Sequence, residues 1–504
     1  MDNARQQNLF KLSAIGVFLI AAALRLALYC RSLQYDELWS MQFFAPLDLK
    51  SIIFDLSLPN NHPLNTIGIK IATTLSDDIF SIRLFPLLCG ITLAIPVGFS
   101  AAVWCKDKTK GFIAACLAAL SAPLIIYSAL ARGYIIQAFF FALTAAGFSC
   151  FAKEYVKKYS KLGFALILTG GIGTILSVPT GVVFLAALVL AIFVANHKNK
   201  PHKLVICALI IGLLLSAAYY TATYSALTSA QKWSVSENYF AGCSKILLQT
   251  GCGMIIATLF SAIQHPAQTL PLLMIPTVVL LSGAVTGLGP VRTYIIFSII
   301  FSVTAAIAVT ELFKKSIAYK ISAACLLLLF TACQIYNYRN FILPDWQKAD
   351  VKNTPTSIAV YPANSSYPLL WNCGLDFLSD YQNAVGKSYL NTVKVYAPRG
   401  VFNGMDNSFG EKQIATNLKA AGGFDDVLGE YYCYTLELCN DNIPEKGYFL
   451  VAYPLGSNFI TPPPNALRLN PHFESAPENK GRCALYFTDV PPSQGNGANI
   501  FIIK

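Results

Sequence analysis

Residues 9–40 read LFKLSAIGVFLIAAALRLALYCRSLQYDELWS. An apolar run to about residue 30 is followed at once by a polar segment with adjacent carboxylates at Asp36 and Glu37. A helix needs roughly 20 apolar residues to cross a hydrocarbon core about 30 Å thick. The run is therefore long enough to cross a membrane. Because adjacent charges are costly in hydrocarbon, we expect the acidic pair in water at the membrane surface.

The whole chain has the composition of a membrane protein. Of its 504 residues, 55% are hydrophobic and 12% are charged, whereas a soluble protein carries roughly 25% charged residues. The mean hydropathy is +0.52. About eleven apolar runs precede residue 340, and they are 9–30, 79–104, 111–130, 133–152, 162–179, 181–196, 204–222, 246–263, 270–288, 294–310 and 319–337. The sequence therefore predicts a polytopic α-helical membrane protein with about eleven transmembrane helices. The first run is predicted to stay uncleaved, since no small-residue cleavage site precedes the acidic pair.

Clusters of lysine predict the orientation of the chain. They mark four short loops, at 106–110, 153–161, 198–203 and 314–320. Loops rich in Lys and Arg stay in the cytoplasm, and with the amino terminus inside all four fall on that side. The same count places the acidic pair, Arg132, Arg292 and everything beyond about residue 338 outside. The net charge of +11 thus follows from topology, and we expect no nucleic-acid partner.

The last third of the chain differs from the rest. We divide the chain into a transmembrane domain at 1–340, with its first outer loop at 31–78, and a soluble α/β domain at 341–504, outside the membrane. β-like runs lie at 357–361, 392–396, 447–453, 484–487 and 499–503, and helix-like runs at 370–381 and 411–421. Four cysteines allow three pairings, and free thiols are also left open: Cys373, Cys433, Cys439 and Cys483.

The outer ends of the predicted helices carry groups that suit a phosphorylated substrate. After the acidic pair come, in order, Asn61 with His62, Arg83, Arg132 with Tyr134, and Arg292 with Tyr294. Arginines can hold a phosphate leaving group, and a carboxylate can take the proton of an attacking hydroxyl. No Walker A loop, GxSxG elbow or HExxH helix competes with this interpretation.

Taken in order, these segments resemble the GT-C superfamily of membrane glycosyltransferases, in its protein O-mannosyltransferase and aminoarabinose transferase branch. The matching elements are Asp36-Glu37, Asn61-His62-Pro63, Arg83-Leu84 with Pro86, Arg132 with Tyr134, and Arg292 with Tyr294. They span roughly residues 10–340, and the ordered set is far more specific than any one member.

The resemblance implies an enzyme, a glycosyltransferase that moves one hexosyl or pentosyl group with inversion. The implied donor is a polyprenyl-phosphate sugar, and the acceptor is a hydroxyl or phosphate of an envelope glycan, a lipid or a protein. Asp36 is the implied general base, and Glu37 would orient it or bind a cation or the acceptor. The substrate-binding residues it implies are Asn61, His62, Arg83, Arg132, Tyr134, Arg292 and Tyr294. The implied location is the bacterial cytoplasmic (inner) membrane, among its lipids, with the C-terminal domain periplasmic or otherwise extracytoplasmic.

Two departures from the family pattern concern a metal and the late motif. Ala129-Leu130 stands where relatives often carry Gln-Glu, and Thr293 separates Arg292 from Tyr294. A second acid near Arg132 is therefore absent from the sequence. A divalent cation is the one cofactor left open, and no metal ligands are assigned.

Several of these residues also suit purely structural roles. Asn61-His62-Pro63 fits the capped start of an interfacial helix, and Arg83 fits an arginine that reaches lipid headgroups. Arg132 and Arg292 are harder to explain in this way, because both oppose the pattern of lysines inside. The loop at 223–245 fits either an aromatic membrane anchor or a lid at the acceptor.

Two other classes of function are left open. A lipid-linked sugar transporter, or flippase, would use the same arginines but needs polar residues deep within the helices, where charges are sparse. A scaffold that binds partners through its tail predicts that the acidic pair can be neutralised without consequence.

Overall fold

The structure is a computed structural model that describes residues 3–29, 37, 40, 44–57, 61–75, 79–198, 200–231, 247–286 and 291–342, together with seven strands after them. The chain forms two compact units. The first comprises Met1–Cys30, Leu47–Ser76 and Phe80–Arg339, and the second comprises Arg31–Pro46, Asp77–Ile79 and Asn340–Lys504.

The first unit is built from helices. The α-helices are α1 (Asn3–Tyr29), α2 (Leu49–Phe54), α3 (Pro63–Leu75), α4 (Leu84–Thr92), α5 (Ala94–Cys105), α6 (Lys108–Ala119), α7 (Ala122–Ser128), α8 (Gly133–Ser149), α9 (Val156–Ser177), α10 (Gly181–Ala195), α11 (Lys203–Gln231), α12 (Cys252–Gln264), α13 (Pro266–Thr286), α14 (Phe297–Phe313) and α15 (Ile317–Ile342). Short 3-10 helices at Ile79–Arg83 and Val291–Ile296 lead into α4 and α14.

The helices confirm a polytopic helical membrane protein. Within the described residues, six helical segments are long and apolar enough to cross a membrane, or seven if α6 and α7 form one bent span. Four shorter apolar helices, of 10–17 residues, coincide with the other predicted runs. Each of the eleven runs thus contains a helix, while eleven crossings stay a prediction.

The sequence pattern predicted one helix at 111–130, and the structure corrects this. The run is divided between α6 and α7, whose axes differ by 57°. Pro123 lies in the first turn of α7. Because proline has no N–H, it cannot donate to the carbonyl of Ala119 four residues earlier, and this explains why the helix breaks here.

Two buried side chains from distant helices satisfy the backbone groups at this break. Nη1 of Arg25, on α1, donates to the carbonyl oxygen of Ala119 at 2.9 Å. The amide of Ala122 donates to Oε1 of Gln334, on α15, at 2.7 Å. Since an unpaired backbone group is costly in a membrane, α1 and α15 stabilise the bent conformation.

The predicted cytoplasmic loops contact one another in pairs. Lys110 and Glu311 form an ion pair at 2.8 Å. Lys314 lies 3.4 Å from Asp107. Beside the other two loops, the rings of Phe151 and His202 are 5.2 Å apart. These contacts join the first loop to the fourth and the flanks of the second and third loops, while a common side of the membrane for all four stays a prediction.

Helix α14 lies at the centre of the first unit. In the most apolar part of the segment that contains α14, 94% of the residues are buried inside the protein. The corresponding fractions are 11% for α11 and 17% for α15. Hydroxyl pairs link α14 to its neighbours, such as Thr258 and Thr304 at 2.7 Å. Arg292 and Tyr294 precede α14, so their backbone is anchored to the core.

The described part of the second unit beyond residue 342 consists of strands. They are β1 (Ser357–Tyr361), β2 (Val393–Tyr396), β3 (Tyr434–Glu437), β4 (Phe449–Pro454), β5 (Leu467–Arg468), β6 (Cys483–Thr488) and β7 (Asn499–Ile503). One sheet has the order β3-β2-β1-β7 and the other β4-β6-β5. Strands β1, β2 and β3 are parallel, and β7 is antiparallel to β1.

Strands occur at all five predicted positions, and β3 and β5 were not predicted. The parallel arrangement of β1 to β3 requires crossover connections. The predicted helices at 370–381 and 411–421 lie outside the described residues, so the α/β class of this domain stays a prediction.

Candidate functional site

The candidate site is centred on Tyr134, in the first turn of α8. The side chain of Tyr134 is 1% exposed. Two guanidinium carbons lie over its ring, that of Arg132 at 5.7 Å and that of Arg292 at 5.6 Å from the centroid. The ring of His62 meets it edge-on at 5.0 Å, and that of Tyr127 at 5.4 Å. We call His62, Tyr127, Arg132, Tyr134 and Arg292 the ring cluster.

The chain brings the two arginines together from distant positions. Arg132 is the residue before α8, in an extended conformation that turns the chain into the helix. Arg292 lies in the 3-10 helix that precedes α14. Both arginines lie within the range of a cation–π contact to one ring. Two positive charges are therefore placed at one aromatic ring.

The start of α8 strengthens this electropositive region. The first turn of α8 contains no acidic residue, and the amino end of a helix carries a partial positive charge with unpaired N–H groups. Arg132 is 2% exposed whereas Arg292 is exposed. One guanidinium is thus fixed in the protein and the other can meet a ligand from outside. The arrangement can bind a phosphate group.

His62 is held by the turn that links α9 to α10. Its Nδ1 atom lies 3.1 Å from the carbonyl oxygen of Ser177. Because a carbonyl oxygen can only accept, Nδ1 carries the proton, and in a neutral ring Nε2 is then the acceptor. His62 is 3% exposed. The residue that the sequence placed at a helix start therefore contributes a ring nitrogen of defined polarity to the ring cluster.

Asn61 has the structural role that the sequence left open. Its amide donates to the carbonyls of Ile52 at 2.9 Å and Asp55 at 2.6 Å. Its Oδ1 accepts from the Thr66 hydroxyl at 3.0 Å. These bonds join the end of α2 to the start of α3 and so position His62. A contact of Asn61 with substrate stays a prediction.

Arg83 and Tyr294 have other described partners. Arg83 is fully buried, so it does not extend to lipid headgroups, and its Nη1 donates to the carbonyl oxygen of Tyr29 at 2.9 Å, at the end of α1. Tyr294 is stacked on Phe297, with centroids 5.2 Å apart, and lies 6.4 Å from the ring of Phe184. Contacts of Arg83 and Tyr294 with substrate stay predictions.

The acidic pair is only partly described. Asp36 lies outside the described residues, whereas Glu37 belongs to the second unit and is fully buried. Among the residues that the structure describes, no group of three or more His, Cys, Asp or Glu side chains could hold a metal ion. Leu130, at the position of the missing acid, is buried.

Among the buried polar residues that were not predicted from the sequence, three are important for the structure or the site. They are Arg25 on α1, Asn65 on α3 and Gln137 on α8, with exposures of 0%, 1% and 0%. Arg25 and Gln137 each interrupt an otherwise apolar stretch, and a polar side chain at such a position is the signal that could have identified them. Asn65 lies next to Thr66 in a more polar segment, where no such signal exists. Ionisable and amide groups in membrane helices are retained where they have partners or a function.

The comparisons with known proteins give structural neighbours only. No protein-family model and no curated protein matches the chain. The chain is similar to apo ArnT from Cupriavidus metallidurans, with 13% identity and a TM-score of 0.46 over 85% of this chain and 78% of that one. An ArnT structure bound to undecaprenyl phosphate gives 13% identity and a TM-score of 0.46, over 86% of this chain and 78% of that one.

The chain is also similar to an archaeal enzyme, the apo oligosaccharyltransferase of Archaeoglobus fulgidus. The identity is 14% and the TM-score 0.44, over 67% of this chain and 58% of that one. The chain thus spans a little over half the length of that protein.

Proposed function

We propose that this protein is a membrane glycosyltransferase that moves a sugar from a polyprenyl-phosphate donor to an acceptor on the extracytoplasmic side. The observation that carries the proposal is the convergence of Arg132 and Arg292 on the ring of Tyr134. The donor would enter from the surrounding lipid, and the acceptor would be an envelope glycan, a lipid or a protein. The host membrane would be a bacterial inner membrane, with the C-terminal domain outside.

The two arginines suit the leaving group of this reaction. When the bond between the anomeric carbon and the phosphate oxygen breaks, both electrons leave with the polyprenyl phosphate, and negative charge builds on it. Guanidinium groups fixed beside that oxygen stabilise the transition state more than the ground state. The ring of His62 also contacts Tyr134, with the two centroids 5.0 Å apart. In the proposal His62 adds a polar contact to the phosphate.

The acceptor side of the reaction is assigned to the acidic pair. In the proposal Asp36 takes the proton of the acceptor hydroxyl while the hydroxyl oxygen attacks the anomeric carbon from the face opposite the phosphate, which inverts its configuration. Glu37 orients Asp36 or the acceptor. A divalent cation is left open as a cofactor, and no step is assigned to it.

Binding of undecaprenyl phosphate to the protein in lipid nanodiscs tests the phosphate site. We expect Arg132→Gln and Arg292→Gln each to weaken binding about tenfold or more, since a hydrogen bond to a charged group contributes about 1.5–3 kcal/mol. Arg339→Gln is the matched control, because Arg339 lies in the last turn of α15 and is exposed. Equal affinity in all four proteins would remove both arginines from the phosphate site.

Transfer itself is tested with labelled sugar donors and candidate acceptors. Wild-type protein is expected to release polyprenyl phosphate and glycosylate an acceptor, and Asp36→Asn is expected to lower the rate by about 10²-fold or more. Wild-type transfer by Asp36→Asn would refute the base assignment. Movement of intact donor across proteoliposome membranes without its consumption would favour the flippase alternative.

A further inference from the structure

Two buried amide side chains beside the ring cluster each use only half of their hydrogen-bonding capacity. Nδ2 of Asn65 donates to the carbonyl oxygen of Ala131 at 2.7 Å. Nε2 of Gln137 donates to the carbonyl oxygen of Val178 at 3.3 Å. Oδ1 of Asn65 and Oε1 of Gln137 accept no hydrogen bond from the described residues. Both side chains are at most 1% exposed.

The orientation of each amide follows from its partner. A main-chain carbonyl oxygen can only accept, so the NH₂ group of each side chain must face it. Each amide oxygen therefore points away from that carbonyl. A buried acceptor without a donor destabilises the fold, and buried polar groups nearly always have partners. Two such acceptors in one region indicate a ligand with hydrogen-bond donors.

Both amides lie close in sequence or by hydrogen bond to residues of the ring cluster. Asn65 follows His62 by about one helical turn on α3, and it binds the residue directly before Arg132. Gln137 follows Tyr134 by about one turn on α8, so the two side chains share a helix face. The two amides thus belong to segments that also carry His62, Arg132 and Tyr134 of the ring cluster.

The turn between α9 and α10 completes this region. Its carbonyls at Ser177, Val178 and Pro179 accept from His62, Gln137 and Tyr220 respectively. Three helices therefore fix the turn. The next residue, Thr180, has a buried hydroxyl that makes no hydrogen bond with the described residues, and a hydroxyl can donate or accept.

We propose that Asn65 and Gln137 accept hydrogen bonds from hydroxyl groups of the donor sugar, with Thr180 as a third contact. The inference rests on the proposed function and deepens it. A phosphate diester and a polyprenyl chain have no hydrogen-bond donors, whereas a sugar has several. Donor-only arginines therefore recognise the phosphate, and acceptor amides recognise the sugar attached to it.

Paired ligands separate this proposal from the phosphate site. Undecaprenyl phosphate is compared with undecaprenyl phosphate that carries one hexose or one pentose, bound to protein in nanodiscs. For the variants Asn65→Leu and Gln137→Met, we expect affinity for the best sugar-bearing lipid to fall about tenfold more than affinity for the bare lipid phosphate.

Gln334→Met is the matched control. Gln334 is also a buried glutamine, but both of its amide atoms are paired with main-chain groups, those of Ala122 and Thr250. It is expected to lower thermal stability and to leave the ratio of the two affinities unchanged. If Gln334→Met changes this ratio as much as Gln137→Met does, the assignment of Gln137 is overturned.

A second measurement uses wild-type protein and so does not depend on whether a variant folds. Donors in which single sugar hydroxyls are replaced by hydrogen are expected to bind about tenfold more weakly at one or two positions. Gln137→Met or Asn65→Leu should then be insensitive to the same deoxygenation.

Full sensitivity of both variants to every deoxygenation would show that the amides bind only ordered water or serve the fold. That result overturns the sugar contact and leaves the phosphate site intact. Failure of wild-type protein to bind either lipid would overturn the proposed function and this inference together.

Discussion

Nδ1 of His62 donates to the carbonyl oxygen of Ser177 at 3.1 Å. This single bond joins the start of α3 to the end of α9 and fixes the tautomer of a ring that meets Tyr134 edge-on. Nδ1 of His62 thus has a structural function, whereas Nε2 is the nitrogen left for chemistry. A substitution that keeps only the first nitrogen can separate the two functions.

We expect His62→Asn to keep the fold and lose activity. The asparagine amide can take the place of Nδ1 and still donate to Ser177, but it has no atom at the position of Nε2. The melting temperature in detergent should change little, while transfer falls about tenfold. His62→Gln, which lacks the donor near Ser177, should lower the melting temperature more. Wild-type transfer by His62→Asn would remove Nε2 from the reaction.

Tyr134 is expected to act through its ring rather than its hydroxyl. Tyr134→Phe keeps a π face for both arginines, whereas Tyr134→Leu removes it. Since each cation–π contact contributes about 0.5–2 kcal/mol, we expect the leucine variant to bind undecaprenyl phosphate about 10- to 100-fold more weakly and the phenylalanine variant to bind nearly as wild type. Equal losses in the two variants would assign the effect to the hydroxyl.

The sequence predicted the membrane fold well because the signal is local. A helix crosses the bilayer when enough consecutive residues are apolar, and each predicted run contains a helix. The run at 111–130 differs from the others because it contains two helices whose axes differ by 57°. Pro123 marks the break in the sequence, but the groups that stabilise it, Arg25 and Gln334, lie 98 and 211 positions away from it along the chain, and no local pattern connects them.

The candidate site was predictable only as an ordered set. His62, Arg132 with Tyr134, and Arg292 come from three segments, and their order along the chain pointed to them before their contacts were known. Gln137 was not predictable in this way, because it lies in an apolar helix without a motif. Its importance depends on which of its two amide atoms has a partner, and that is a property of the folded chain.

The break between α6 and α7 allows a test by rescue. Arg25→Leu leaves the carbonyl of Ala119 and the hydroxyl of Ser128 without the donors they have at 2.9 and 3.2 Å. We expect a loss of about 1–2 kcal/mol in stability, because hydrogen bonds between membrane helices average about 0.6 kcal/mol. Adding Pro123→Ala supplies an N–H for Ala119 and should restore part of the loss. Thermal unfolding of the single and double variants in detergent measures this, and strictly additive effects would contradict it.

Asp107 is expected to make stability depend on pH at the lysine-rich end. Burial raises the pKa of its carboxyl, but hydrogen bonds from the amides of Thr109 and Lys110 and from the Lys314 side chain outweigh this and hold the pKa below its ordinary value. A carboxyl with a lowered pKa in the folded state stabilises the protein above the pKa of the unfolded chain, about 3.9, and this stabilisation is lost as the pH falls through the folded value.

The variants Asp107→Ala and Asp107→Asn separate cap from charge. Asparagine caps a helix about as well as aspartate, whereas alanine costs about 1 kcal/mol. At pH 7 we expect alanine to lower the melting temperature of detergent-solubilised protein and asparagine to lower it less. The difference between wild type and Asp107→Asn should shrink below about pH 4. A constant difference down to pH 3 would show that the ionised carboxylate does not contribute.

Gly133 is expected to tolerate no side chain, because α8 approaches the turn after α9 too closely there. A Cβ atom at Gly133 would lie 2.1 Å from the carbonyl oxygen of Ser177 and 3.0 Å from the side chain of His62. Backbone must move to relieve such a contact, and Tyr134 would move with it. We expect Gly133→Ala to weaken binding of undecaprenyl phosphate and to lower transfer by about tenfold or more, since small displacements in a site are costly.

Gly212→Ala is the matched control, because nothing lies within 4 Å of its added Cβ. Helix propensity alone should leave the stability of this variant unchanged or raise it by up to about 1 kcal/mol. Unchanged binding and transfer in Gly133→Ala would show that the close approach of α8 to Ser177 is not what positions the ring cluster.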